Sequence, residues 1–292
     1  MNRRDLLLSA TANATALTVQ RLFGLESRYK IGYTSNTRGA DPVTTWATDP
    51  FKGFREAHEV GFNYVEQFAT ALSQFYPDDV VGLKKRIDEI GVKFAAITGG
   101  ARGGNIHFED PASRQAVIEN HLGVIRFSKK FGCDHQKTNL GPRRPGGTTQ
   151  EDLKNIAETL EILGRRSLEE EGIPFGVHAH LGNQFQSQNE VDYVMANTDP
   201  KHVRFVLDTG HVTMAGMDPI ALAKRLGHRI VEISPEGHQA RRPRRDQACS
   251  WKGSGHDERS VLLPAGERRR GFPGTEGAPR QYSVEGIPGG GT

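Results

Sequence analysis

A few positions carry side chains able to bind a metal or move a proton. Glu66 closes the run Asn63-Tyr-Val-Glu-Gln-Phe68. Lys137 and Asn139 alternate in Lys137-Thr-Asn139, as do His178 and His180 in Gly176-Val-His-Ala-His-Leu-Gly182. Asp208 heads Asp208-Thr-Gly-His211. Alternation by two places Lys137 with Asn139, and His178 with His180, on one face of an extended strand. Imidazoles and a carboxylate are the ligand types that hold Zn²⁺, Mn²⁺ or a related divalent ion. Such an ion can polarise a carbonyl and stabilise an enediolate while a neighbouring base moves the proton. Other readings stay open for two members: Glu66 can pair with a nearby arginine, and Lys137 with Asp134 or Glu66. The scattered His58, His121 and His202 read as satisfied structural histidines. Arg143-Arg144 reads as a solvated loop, or as a holder of a phosphate or carboxylate group.

The elements that must position these groups alternate. Short β-type runs at 30–33, 63–68, 93–98, 134–140, 175–180, 204–207 and 229–233 are separated by helical patterns at 78–90, 111–131, 149–171 and 219–226. In the first helix Val81, Leu83, Ile87 and Ile90 recur at near-helical spacing. Thr149 and Asp218 are N-cap signals for the last two. Strand-then-helix repeats argue for parallel βα units. The expectation is an α/β chain, a (β/α)8 TIM barrel incomplete at its C-terminus with about seven strands and an irregular tail. An open doubly wound sheet is the rival, but no glycine-rich dinucleotide fingerprint follows the first strand. In a barrel, chemistry sits where strands end, and the polar positions above fall there.

The chain has 292 residues and a net charge of +3, long enough for a large core. No apolar run of eighteen residues follows the N-terminus, so stable membrane insertion is not expected. Cys133 and Cys249 make neither a disulfide scaffold nor a zinc-type pair. Residues 1–28 read as an export leader or flexible N-terminus. The order Arg3-Arg4-Asp5-Leu6-Leu7 resembles a twin-arginine signal, which implies a bacterial periplasmic or exported protein; without it the location is cytoplasmic. Residues 29–233 form the barrel domain. Residues 234–292 differ in kind: 17 of 59 are Gly or Pro, and only 6 are Val, Ile, Leu or Phe, too few to bury a core.

Gly61-Phe-Asn-Tyr-Val-Glu66, His178-Ala-His180-Leu-Gly182 and Val206-Leu-Asp208-Thr-Gly-His211, followed by Ala215-Gly-Met-Asp-Pro219, resemble the sugar phosphate isomerase/epimerase family. These are xylose-isomerase-like TIM barrels that include inosose dehydratases and, more distantly, endonuclease IV. The resemblance spans about 29–233. It implies a divalent-metal-dependent sugar or polyol isomerase/epimerase, with inosose-dehydratase-like lyase chemistry or a non-catalytic remnant as alternatives. Carried over by motif, His178 and Asp208 take the metal (Mn, Zn, Mg or Co), and His180 is a further candidate ligand. His211 and Glu66 become the catalytic pair, and Lys137, Asn139 and His180 line the substrate. His178 stands where epimerases of this group commonly carry a glutamate base, which leans toward isomerase or dehydratase chemistry. Phosphodiester hydrolysis needs a richer His and acidic cluster than this chain shows. The partner is a small sugar or polyol, with no nucleic acid expected, and oligomers are compatible.

The family's strand seven runs Arg-Ile-x-x-x-His-x-Lys-Asp. Here Arg229-Ile-Val-Glu-Ile233 leads instead into Ser234-Pro-Glu-Gly-His-Gln-Ala240. Codons for the latter read one base later can encode His-Leu-Lys-Asp-Thr-Lys, which points to a frameshifted tail; a disordered extension is the alternative. Loss of the last two units would impair the activity and leave strands one and seven as unpaired edges.

Overall fold

The structure is a computed structural model that describes residues 30–34, 51–72, 79–100, 107–235 and 259–262. The leader expected at 1–28 and most of the tail (236–258 and 263–292) lie outside the described residues.

Among the described residues, seven parallel strands alternate with helices in the order expected of a TIM barrel. These are β1 (Lys30–Thr34), β2 (Tyr64–Phe68), β3 (Lys93–Thr98), β4 (Gln136–Asn139), β5 (Phe175–His178), β6 (Val203–Asp208) and β7 (Ile230–Ser234). The helices are α1 (Lys52–Glu59), α2 (Val80–Ile90), α3 (Arg114–Lys129), α4 (Gln150–Glu171), α5 (Gln188–Ala196), α6 (Thr209–Met214) and α7 (Pro219–Leu226). Ladders join β1 to β2, β2 to β3, and β4 through β7 in sequence, all parallel. Between β3 and β4 the ladder is interrupted. There Gly99 N–H donates to Lys137 O at 2.8 Å and Asp134 N–H to Ala95 O at 3.1 Å.

An eighth strand, β8 (Arg259–Leu262), comes from the tail and lies between β1 and β7, antiparallel to both. The expectation of unpaired edges on β1 and β7 is therefore corrected. Backbone groups left without partners recruit whatever extended segment can reach them.

Helix α4 shows why these segments form. Thr149 caps it in a capping box with Asp152, and Gly172 ends it in a left-handed conformation. Leu153, Ile156, Leu160 and Leu163 make its buried stripe. Gly164 lies so close to the chain entering β6 that a Cβ would overlap the His202 carbonyl. In α2 the stripe is Leu83 and Ile87, both buried, whereas Val81 is 81% exposed. Val81 sits two residues before Leu83, about 200° round the helix, and so faces away from the core. The apolar core lies between sheet and helices, in one cluster around β5, β6 and α3–α5 and a second around β2, β3, α1 and α2. Among the described residues no helix is long and apolar enough to cross a membrane.

Candidate functional site

Two polar layers are stacked inside the barrel, and strand register sets their order. Lys137 on β4 pairs with Gly176 on β5, and Asn139 with His178 one pleat further on. Glu232 on β7 pairs with Val206, and Ser234 with Asp208, in the same progression. Lys137 and Glu232 therefore lie below, and Asn139, His178 and Asp208 above, at the C-terminal strand ends.

In the lower layer Lys137 is buried and spans the barrel. Its ammonium lies 2.7 and 2.8 Å from the two Glu66 oxygens and 2.6 Å from Glu232 Oε1. Glu66 also accepts from Thr34 Oγ1 at 2.8 Å and from Thr98 Oγ1. The second Glu232 oxygen lies 2.7 Å from His135 Nε2. Burial opposes the Lys137 charge, but Glu232 and Glu66 outweigh it and hold the ammonium pKa above its ordinary value. Burial likewise pushes the Glu232 carboxyl up, and Lys137 and His135 overcome this, holding it well below the usual carboxylate range. Glu232 and His135 were not singled out from the sequence. The available signal was a lone acidic residue in the otherwise apolar run Ile230-Val-Glu-Ile233.

The upper layer gathers the histidines. His178 Nδ1 lies 2.7 Å from Asn139 Oδ1. A carbonyl oxygen only accepts, so the ring donates there and its lone pair resides on Nε2. That Nε2 is buried, has no hydrogen-bond partner and stands 3.5 Å from Asp208 Oδ2. Asp208 ends β6 and also caps α6, accepting from His211 N–H at 2.8 Å through its other oxygen. Burial pushes its carboxyl up, but the His178 ring in its protonated form, and His211 through its ring and its backbone N–H, prevail and hold the pKa down to about 2. His211 rides on the first turn of α6, and its Nδ1 accepts from Leu181 N–H at 3.4 Å. A neutral ring in that setting carries its proton on Nε2. His180 lies just past the end of β5. Its ring stacks on His211 with centroids 3.8 Å apart, and its Nδ1 donates to Leu181 O at 2.8 Å. Burial and the neighbouring His178 lower its pKa to about 4, so it is neutral.

Ligand atoms of His178, Asp208 and His211 lie within 4.8 Å of one another, a group that could hold a metal ion. The donor chemistry fits: an unpartnered buried imidazole nitrogen beside a carboxylate already ionised near pH 2 is a divalent-cation arrangement. Of the other sequence candidates, Arg143 pairs with Glu190 at 2.7 Å and Arg144 with Asp152, which ties both to the scaffold. His121 and His202 are held by Val117 and Thr138, and by Glu161.

The family model described as xylose isomerase-like TIM barrel matches residues 54–260. The chain belongs to that family. Among its relatives, inosose dehydratase from Clostridium beijerinckii is 34% identical over 171 residues, 56% of this chain and 57% of that protein. The chain spans 28 to 57% of the length of the inosose dehydratases it matches from Lacticaseibacillus casei and Clostridium beijerinckii. Among solved structures, a sugar phosphate isomerase/epimerase from Parabacteroides distasonis is 17% identical, with a TM-score of 0.55 over 70% of this chain and 73% of that one. The IOLI protein, solved with a zinc atom bound, is 14% identical, with a TM-score of 0.51 over 71% and 73%. At these identities the two structures speak for the barrel fold alone. The family match runs beyond the sequence motifs to reach β8.

Proposed function

We propose that this xylose isomerase-like barrel is a divalent-metal-dependent isomerase or epimerase. It would remove a proton from the carbon next to the carbonyl of a sugar or polyol-derived ketone. The observation that carries this reading is the buried, unpartnered His178 Nε2 facing Asp208 at the ends of β5 and β6. His178 and Asp208 would hold the ion, which when bound supplies a Lewis acid for the substrate carbonyl. His211, with its Nε2 proton, is placed to exchange a proton with a substrate oxygen. Neutral His180 packs against that ring, and because its Nδ1 donates to Leu181 O its Nε2 keeps the lone pair that would receive the proton leaving the carbon. Glu66 and Lys137 are already committed to each other, so their part is a fixed charged floor beneath the substrate.

A second reading, an inosose-dehydratase-like lyase, starts from the same proton removal and then expels a hydroxyl from the adjacent carbon. The 34% identity to the Clostridium beijerinckii enzyme favours it. Two measurements test the proposal. Purified chain should retain a divalent ion through dialysis, and His178→Ala should lose it; unchanged metal content in the variant would refute the ligand assignment. Ketoses and inososes incubated with metal-loaded protein in D₂O should gain deuterium beside the carbonyl. A rearranged sugar then marks the isomerase or epimerase, and a product lacking water marks the lyase. No exchange with any member of the panel counts against both.

A further inference from the structure

Asn139 and His178 are register partners on β4 and β5, each the last residue of a four-residue strand. The Asn139 oxygen meets His178 Nδ1 at 2.7 Å, and the far nitrogen of the same ring is buried without a partner. We infer that Asn139 is a positioning residue: it fixes the His178 imidazole in its Nδ1–H form and aims the Nε2 lone pair at the space beside Asp208. This rests on the metal reading above and extends it from the ligands to the group that orients them. A neutral imidazole has one donor and one acceptor, so an acceptor fixed on one nitrogen decides the state of the other. The competing arrangement places the proton on Nε2, directed at the Asp208 carboxylate. It requires the Asn139 amide to turn its nitrogen toward Nδ1; the lone pair is then spent on that amide, and Nε2 has none to offer a cation beside Asp208. The choice between the two belongs to Asn139.

The deciding experiment begins with metal-free protein. Ring-nitrogen NMR of His178 is expected to show the proton on Nδ1 in the wild type and a mixture of tautomers in Asn139→Ala. Asn139→Asp, whose carboxylate can only accept, should restore the Nδ1–H form. Co²⁺ titration should then show Asn139→Ala binding about 10–100-fold more weakly, the usual cost of losing a group that orients a ligand, while Asn139→Asp stays within a few-fold of wild type. Wild-type His178 protonated on Nε2, or Asn139→Ala binding Co²⁺ as tightly as wild type, overturns the inference. Wild-type protein that takes up no Co²⁺ overturns the metal reading instead, and the metal-free tautomer still decides whether Asn139 sets the ring.

Discussion

His121 illustrates how a single buried ring couples this barrel to pH. It is fully enclosed on α3, with Nδ1 against Val117 O at 2.8 Å and Nε2 against Thr138 Oγ1 at 3.1 Å, a pairing suited to the neutral ring. Burial lowers its pKa from 6.5 to about 4. The unfolded chain thus takes up a proton near pH 6.5 that the folded chain refuses until about pH 4. Stability is complete above the unfolded value and falls as the pH drops through this window, by on the order of 3 kcal/mol from this ring. Denaturant unfolding at pH 7.5 and pH 4.5 should show the loss, and His121→Gln should reduce it. An equal loss in the variant would place the acid sensitivity elsewhere.

The Lys137 bridge acts between elements, since one ammonium ties β4 to β2 and to β7. Its link from β4 to β2 reaches across β3, on the side of the barrel where the β3–β4 ladder is interrupted. Lys137→Met keeps much of the side-chain length but strands two carboxylates, Glu66 and Glu232, in the interior. Removing one partner from a buried ion pair costs about 3–5 kcal/mol, so the midpoint in denaturant should fall steeply. A variant as stable as wild type would mean that water, rather than Lys137, satisfies these carboxylates. Helix α6 shows a different role. A six-residue helix capped by Asp208 fixes the carboxylate and sets His211 beside it, so element geometry and site geometry are one feature.

At the level of the whole molecule, the decisive contact is β8. Its antiparallel pairing with β1 and β7 joins the first and last parallel strands through a segment from the tail. A chain ending at residue 258 should expose both edges. Hydrogen exchange in β1 and β7 should then quicken, and the protein should associate as its concentration rises. Unchanged exchange in both strands would show that β8 does not protect them. Most of the tail, including all but the first two residues of the stretch whose shifted codons can encode His-x-Lys-Asp, lies outside the described residues.

The order of strands and helices was legible because it is written locally: alternation in β4 and around the end of β5, near-helical spacing in α2, and the capping signals at Thr149 and Asp218. The site histidines and Asp208 were legible because polar residues at the ends of apolar strands stand out. Val81 misled because a short helix offers several near-helical spacings, and only packing selects one. What each site residue touches was not legible. The Asn139–His178 contact depends on the register of β4 against β5. The Lys137 bridge to Glu66 and Glu232 joins residues 71 and 95 positions apart. The antiparallel course of β8 depends on which segment reaches the gap between β1 and β7. The chain by itself determined which residue types arrive at the strand ends. Tertiary structure alone decided which of them meet, because register and closure are settled by hydrogen bonds between segments distant in sequence.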